Sequence, residues 1–168
     1  MTQTILITGG ARSGKSRIAE ARCLSIGRPA IYIATAQAHD AEMRARIAEH
    51  QARRGPEWHM IAEPIELATV LHASDGKGPR LVDCLTLWLS NLMLAGHDWR
   101  GATSDLIAAL TKQASPVVLV TNEVGMGIVP ENALARAFRD AAGTINQWVA
   151  AEADEVVLAV SGLPVKVK

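Results

Sequence analysis

Gly9-Gly10-Ala11-Arg12-Ser13-Gly14-Lys15-Ser16 is the stretch that decides the fold of this 168-residue chain. It matches the pattern G-x-x-x-x-G-K-[ST] in full, with an aliphatic run before it and a helical segment after it. In such a loop the glycines let the backbone turn its N–H groups around phosphate oxygens, at the positive end of the next helix. Lys15 adds a positive charge for the β- and γ-phosphates, and the Ser16 hydroxyl is placed to ligate Mg²⁺. The stretch therefore predicts a site for a nucleoside triphosphate.

The rest of the chain repeats this strand–helix order. Nearly continuous apolar runs, typical of strands covered on both faces, alternate with segments of helical period. We predict strands at residues 4–8, 30–34, 80–83, 117–121 and 156–160, a short edge strand at 58–61 and a final antiparallel strand at 164–168. We predict helices at residues 15–26, 40–54, 65–73, 85–95, 104–113 and 132–151. This alternation predicts an α/β fold of the P-loop NTPase (RecA-like) type, with three layers and a mostly parallel sheet.

The composition fits one folded domain, residues 1–168. Lys and Arg total 17, as do Asp and Glu, and 49% of the residues are apolar. These values exclude disorder and give no general charge for binding nucleic acid. The longest aliphatic runs are too short to span a membrane. Two separated cysteines, Cys23 and Cys84, favour packing roles in a cytoplasmic protein.

A second ligand for the metal is expected at the end of a later strand. Asp83 ends the short run Arg80-Leu81-Val82-Asp83, where a helix is about to begin. A magnesium-dependent P-loop needs a carboxylate on a neighbouring strand, which favours Asp83 as that ligand. The other interpretation is that Asp83 caps the following helix.

Two further polar residues follow the predicted strand at 117–121. Asn122 and Glu123 stand at the carboxyl-end edge, where α/β sheets bind their ligands, although turn chemistry explains them equally well. The segment lacks the Asn-Lys-x-Asp pattern with which regulatory GTPases read guanine, so a GTPase switch is not favoured.

His50 lies on the predicted helix at 40–54, on the same side as Met43 and Ile47, with Arg46 and Arg53 one turn away on either side. By spacing alone a half-buried structural histidine is the simpler interpretation. The functional interpretation is a nucleophile, because a neutral imidazole nitrogen can attack phosphorus while arginines neutralise the phosphates.

The sequence resembles the bifunctional adenosylcobinamide kinases / adenosylcobinamide-phosphate guanylyltransferases of cobalamin biosynthesis (CobU/CobP family). The resemblance runs in order along essentially the whole chain. It rests on residues 9–16, Tyr32-Ile33-Ala34-Thr35-Ala36, Glu42-Met43 with Arg46-Ile47-x-x-His50, Asp83-Cys84-Leu85-Thr86-Leu87-Trp88 with Asn91-Leu92, and Thr121-Asn122-Glu123-Val124-Gly125-Met126-Gly127-Ile128-Val129-Pro130.

The resemblance implies two reactions at one nucleotide site. First, ATP or GTP phosphorylates the aminopropanol hydroxyl of adenosylcobinamide. In the second reaction His50 attacks the α-phosphate of GTP, releasing pyrophosphate and keeping GMP on the ring nitrogen. The phosphate of adenosylcobinamide phosphate then takes up the GMP to give adenosylcobinamide-GDP. At His50 the resemblance favours the nucleophile, and it also implies a homotrimer.

The resemblance further implies catalytic roles for His50 and Lys15, with Mg²⁺ held by Ser16 and Asp83. Asp83 stands where relatives often carry Glu, and Glu63 keeps one of two acidic residues that are common there. An extra Gly55 leaves open whether Arg53 or Arg54 contacts the nucleotide. The full set of implied nucleotide contacts is Gly9, Gly10, Ala11, Arg12, Ser13, Gly14, Lys15, Ser16, Ala34, Thr35, Ala36, Gln51, Ala52, Arg53, Arg54, Glu63 and Asp83.

Two other functions compete with this one. The chain could be a P-loop kinase of another small molecule, with His50 merely structural, or a regulatory module that uses the loop as a switch. A plain kinase has no need of a helix carrying a histidine between arginines, whereas a covalent guanylyl intermediate requires such a nucleophile. The choice between ATP and GTP as phosphate donor, and the place of the corrinoid, stay open.

Overall fold

A seven-stranded sheet organises the residues described by the computed structural model, which are 3–38, 41–52 and 54–168, without the side chains of 42, 43, 46 and 49–51. The strands are β1 (Thr4–Gly9), β2 (Ala30–Ala34), β3 (Trp58–Ala62), β4 (Arg80–Asp83), β5 (Val117–Asn122), β6 (Glu155–Val160) and β7 (Leu163–Lys166). Their order is β3-β2-β4-β5-β1-β6-β7, and every pair is parallel except β6–β7. The predicted mostly parallel sheet, with its edge strand and antiparallel last strand, is confirmed.

Helices fill the connections between the strands. They are α1 (Lys15–Ile26), α2 (Ala41–Ala52), α3 (Leu67–Ser74), α4 (Leu85–Leu94), α5 (Trp99–Leu110) and α6 (Ala133–Glu152). The prediction for α5 was wrong by five residues at its start, because Asp98 caps the helix there by accepting the N–H of Arg100. α3 begins at Leu67 rather than at 65, because the Glu63 carboxylate accepts the N–H groups of the two residues before it.

Both faces of the sheet are buried, as the continuous apolar runs predict. Successive residues of β5 alternate between two clusters: Val117 and Leu119 pack towards α3–α6, and Val118 and Val120 pack towards α1. This alternation gives the three layers of the fold. None of the helices in the described parts of the chain has the length and hydrophobicity needed to cross a membrane.

The two cysteines lie within this packing. Cys23 on α1 and Cys84 after β4 are both buried free thiols, which confirms their predicted packing roles. Burial raises the pKa of each thiol to about 12, so both stay protonated and unreactive at neutral pH.

Arg80, the first residue of β4, is fully buried in a polar network. Its guanidinium donates to the Gln113 side chain at 2.8 Å and to the Ser115 carbonyl at 2.5 Å. It also lies 3.2 Å from the Asp75 carboxylate, which accepts the N–H groups of Ala114 and Ser115. The network ties the turn before β4 to the turn before β5 and so fixes the two strands that follow.

Replacement of Asp75 by Asn should lower the free energy of unfolding at pH 7 by about 2 kcal/mol, because buried Arg80 loses its counter-charge. Burial alone would raise the pKa of Asp75, but the Ala114 and Ser115 N–H groups and Arg80 bring it below its usual value. A lowered pKa means stability that is present at neutral pH and lost as the pH falls through the folded-state pKa. The difference from the wild type should therefore shrink in acid, as measured by urea unfolding at pH 7 and below pH 4.

The matched control is Asp105→Asn, because Asp105 is exposed on α5. That change should leave the unfolding curve nearly unaltered at both pH values. Equal stabilities of Asp75→Asn and the wild type at neutral pH would show that the network does not stabilise the fold.

Candidate nucleotide-binding site

The loop between β1 and α1 has the backbone form expected of a phosphate cradle. Arg12 and Gly14 have positive φ values of 54° and 88°, and the Ser13 N–H donates to the Gly10 carbonyl at 3.3 Å. The Lys15 ammonium donates to the same carbonyl at 3.0 Å, so its side chain folds back over the loop. Left-handed residues alternating with ordinary ones turn successive N–H groups to one side, which is the geometry that binds anions.

The first turn of α1 has no side-chain cap among the described residues. Gly14 occupies the capping position without a side chain, and the first turn contains no acidic residue. The N–H groups at this end of the helix, together with its positive dipole, therefore have no carboxylate partner within the described part of the chain. A phosphate group is the ligand that such an end suits.

The loop is packed too closely for side chains at two of its glycines. A Cβ on Gly9 would lie 2.6 Å from the Ser13 hydroxyl and 2.8 Å from the Ala159 carbonyl. The Ser13 hydroxyl is buried and, among the described residues, has no hydrogen-bond partner. A Cβ on Gly14 would come within 3.0 Å of the Gly162 Cα. The glycines of the motif are thus needed for close backbone approach as well as for turning.

The β6–β7 turn packs against the loop and is hydrogen-bonded to it. Ser161 and Gly162 both have positive φ, as a two-residue hairpin turn requires. The Gly162 N–H donates to the Ser13 carbonyl at 2.8 Å, and Arg17 from α1 donates to the Gly162 carbonyl at 3.4 Å. Our sequence reasoning missed this support, although Ser-Gly between two short strands is a hairpin signal that could have located the turn.

Asp83 ends β4 at the same edge of the sheet, two strands from β1, or roughly 10 Å across. It is half-buried, and the Tyr32 hydroxyl donates to its Oδ2 at 2.5 Å. Cys84 occupies the capping position of α4, and no side chain caps that helix. The interpretation of Asp83 as a helix cap is therefore wrong, and its second carboxylate oxygen has no such structural duty.

The end of β2 is joined to the end of β4 by Thr35. Its hydroxyl donates to the Cys84 carbonyl and accepts the Cys84 N–H, both at 2.8 Å, and its own N–H donates to the Asp83 carbonyl. Thr35 is fully buried, whereas Ala34 and Ala36 on either side are half-buried. The Thr35 side chain thus holds the end of β2 against the end of β4, the strand that carries Asp83.

Glu63 lies at the same edge, directly after β3. Its N–H donates to the Ala34 carbonyl at 2.9 Å, and one carboxylate oxygen accepts the N–H groups of Ile65 and Glu66. The structure therefore places the carboxyl ends of β1, β2, β3 and β4, and with them most of the residues predicted for the site, along one edge of the sheet.

The segment with the predicted nucleophile is described in part. His50, Gln51 and Ala52 belong to α2, but the side chains of His50 and Gln51, and all of Arg53, lie outside the described residues. Arg54 follows, and its guanidinium stacks 3.4 Å above the centre of the Tyr32 ring.

Asn122 and Glu123 follow β5 directly beside the loop. The Glu123 N–H donates to the Gly9 carbonyl at 3.0 Å, and its carboxylate accepts the Gly125 N–H at 2.6 Å. Asn122 is held through its backbone by the side chains of Thr86 and Asn146. These contacts give both residues a turn-forming role next to the phosphate cradle, and sequence reasoning missed the contribution of Asn146 from α6.

The residues present fit a magnesium ion that arrives with a nucleotide. Within the described residues, no group of three or more His, Cys, Asp or Glu could hold a metal by itself. Mg²⁺ in nucleotide sites takes one or two protein oxygens and completes its shell with phosphates and water. The Ser16 hydroxyl and the second oxygen of Asp83, which has no hydrogen-bond partner in the described part of the chain, are donors of that kind.

Comparison with known proteins finds relatives over nearly the full length. The family model described as "Cobinamide kinase / cobinamide phosphate guanyltransferase" matches residues 5–167. The bifunctional adenosylcobalamin biosynthesis protein CobP of Pseudomonas aeruginosa is 46% identical over 97% of this chain and 96% of its own length. The bifunctional adenosylcobalamin biosynthesis protein CobU of Salmonella typhimurium is 46% identical over 98% of this chain and 99% of its own length.

Solved structures agree on the fold. The ATPase EscN of the enteropathogenic E. coli type III secretion system superposes with a TM-score of 0.54 at 13% identity, over 95% of this chain and 43% of EscN. At that identity the likeness concerns the fold alone, and it agrees with the predicted α/β fold and its mostly parallel sheet.

The hairpin support of the loop can be tested with Gly162→Ala. An alanine at a φ of 81° strains the turn by about 1 kcal/mol and should loosen the Ser13 carbonyl contact, so nucleotide affinity should fall about fivefold. Equilibrium titration with a fluorescent nucleotide measures the change.

Gly96→Ala supplies the matched control, since Gly96 has a φ of 72° and open space around it, at the end of α4. It carries the same backbone strain without touching the loop, and its nucleotide affinity should equal that of the wild type. Identical affinities for the two variants would refute the support by the hairpin.

Proposed function

This chain belongs to the cobinamide kinase / cobinamide phosphate guanyltransferase family, and we propose that both activities use the single P-loop site described above. The observation that carries the proposal is the start of α1, which lies at the sheet edge with the positive end of the helix dipole and no side-chain cap among the described residues. The chain is also 46% identical to each of two relatives that are named as bifunctional. Both reactions are displacements at phosphorus, which this type of site serves by positioning and charge neutralisation.

In the kinase step, the aminopropanol hydroxyl oxygen of adenosylcobinamide attacks the γ-phosphorus of ATP or GTP. The bond from γ-phosphorus to the bridging oxygen breaks, the nucleoside diphosphate leaves, and the hydroxyl proton passes to solvent. The loop N–H groups and Lys15 hold the β- and γ-phosphates, and we assign the remaining contacts of residues 9–16, Ala34, Ala36 and Glu63 to the nucleotide. When bound, Mg²⁺ supplies further charge neutralisation from Ser16 and Asp83.

In the guanylyl step, a ring nitrogen of His50 attacks the α-phosphorus of GTP and pyrophosphate leaves. A phosphate oxygen of adenosylcobinamide phosphate then attacks the same phosphorus, which breaks the phosphorus–nitrogen bond and frees the imidazole. The position of α2 supports this assignment: its C-terminal flank is attached through Arg54 to Tyr32, whose hydroxyl binds Asp83. The helix that carries His50 is thereby tethered to the edge that carries the metal ligand.

We extend the family relationship to three further properties. We propose that the chain forms a homotrimer, acts in the cytoplasm and takes corrinoid substrates rather than nucleic acid. Sedimentation of the purified protein tests the first of these.

The histidine intermediate predicts a specific labelling pattern. With GTP labelled at the α-phosphate and Mg²⁺, the denatured wild-type chain should retain acid-labile, alkali-stable label, as a phosphoramidate does. His50→Ala should carry no label while still phosphorylating adenosylcobinamide. His59→Ala, at an exposed site on β3, is the matched control and should label like the wild type. If the wild-type chain binds GTP without becoming labelled, the guanylyltransferase mechanism fails, and a P-loop kinase or a nucleotide switch is the remaining interpretation.

A shared site predicts that one lysine serves both reactions. Lys15→Ala should lower the rates of adenosylcobinamide phosphorylation and of His50 guanylylation each by about a hundredfold or more, because a charge aimed at the phosphates is lost. Lys77→Ala, an exposed lysine in the turn before β4, is the control and should change neither rate. Full activity of Lys15→Ala in either reaction would show that the two reactions do not share one site.

A further inference from the structure

Tyr32 lies between Asp83, the proposed metal ligand, and Arg54, which follows helix α2. It is on β2, is 3% exposed, and donates its hydroxyl proton to Asp83 Oδ2 on the neighbouring strand. One carboxylate oxygen of Asp83 is thus occupied by Tyr32, and the other has no hydrogen-bond partner among the described residues.

The Tyr32 ring is itself fixed from two sides. The Arg54 guanidinium lies 3.4 Å from the ring centroid on one face, and Trp58 meets the ring edge-on at 5.6 Å between centroids. Arg54 is in turn paired with Glu20 of α1 at 3.4 Å, and its side chain is only 6% exposed. A ring held by a stacked cation and an edge-on indole has one orientation, so the direction of its hydroxyl is set before any ligand arrives.

We propose that Tyr32 is the positioning residue for Asp83: its hydroxyl fixes the carboxylate for Mg²⁺, and its ring anchors the C-terminal flank of α2. The role of the hydroxyl, which is the first half of the proposal, concerns the metal. The role of the ring, which is the second half, concerns the position of the helix that carries His50. The second half rests on the proposed guanylyltransferase mechanism, whereas the first requires only that the site bind a magnesium nucleotide. One aromatic side chain would then fix the position of Asp83 relative to α2, the helix that carries His50.

The hydroxyl is tested by Tyr32→Phe, which keeps the ring and therefore the stack with Arg54. The dissociation constant of a fluorescent GTP analogue is measured with excess Mg²⁺ and again with EDTA. In the wild type Mg²⁺ should tighten binding. In Tyr32→Phe about tenfold of that tightening should be lost, the usual value of a hydrogen bond to a charged group, with the EDTA value unchanged. Equal tightening in both proteins, or equal weakening with and without Mg²⁺, would overturn the positioning role.

Trp58→Phe is the matched control, because it trims the packing against Tyr32 but keeps an aromatic ring at its edge and leaves the hydroxyl in place. It should lower the urea midpoint of unfolding yet keep the wild-type response to Mg²⁺. If Trp58→Phe loses the Mg²⁺ response as well, the effect belongs to packing in general, and the assignment to the hydroxyl fails.

The ring is tested by comparing Tyr32→Phe with Tyr32→Leu in single-turnover labelling from α-labelled GTP. At saturating Mg²⁺ the Phe variant should recover the wild-type labelling rate, whereas the Leu variant should stay at least tenfold slower. Recovery by both variants would overturn the anchoring of α2. If the wild type itself fails to label, the proposed mechanism fails, while the Mg²⁺ titration still decides the role of the hydroxyl.

Discussion

The close approach of three backbone segments at the P-loop is the constraint on which the rest of the site depends. Gly9 touches Ala159 of β6, and Gly14 touches Gly162 of the β6–β7 turn, at distances that leave no space for a Cβ. Because side chains are excluded at these points, the loop N–H groups converge on one small volume at an uncapped helix end. The C-terminal hairpin, which adds only an antiparallel edge to the sheet, thus serves the site as a structural support.

The order of the strands sets the spacing of the chemical groups. β5 lies between β1 and β4, so the P-loop and Asp83 are separated by one strand rather than adjacent. A gap of about 10 Å leaves space for phosphates and a hydrated metal between the loop and the carboxylate. The inserted strand ends in Asn122 and Glu123, and the Glu123 N–H binds the Gly9 carbonyl. The turn after β5 is therefore attached to the P-loop and begins between the strands that carry the loop and Asp83.

Local signals predicted most of the fold, whereas contacts between distant segments could not be predicted. The bounds of β2 and β4 agree with their predictions because both strands are short apolar runs, and α1 agrees because the glycine motif determines its start. The Tyr32–Asp83 and Arg80–Asp75 contacts depend on β2 lying next to β4, and on two turns meeting, which no periodicity reveals. In the same way the hairpin signal at Ser161 and Gly162 predicts a turn but not its contact with the P-loop.

The structure also bears on the choice between the two arginines that follow α2. Arg54 is buried, stacks on Tyr32 and pairs with Glu20, so turning it towards a nucleotide would cost both contacts and expose the ring. A planar guanidinium between a ring and a carboxylate is well satisfied where it is, and lysine could not replace it there. This geometry favours Arg54 as an anchor and leaves Arg53 as the better candidate for the nucleotide contact. We therefore expect the Arg54 guanidinium to affect catalysis only indirectly. It holds the end of α2 against β2, the strand next to the one that carries Asp83.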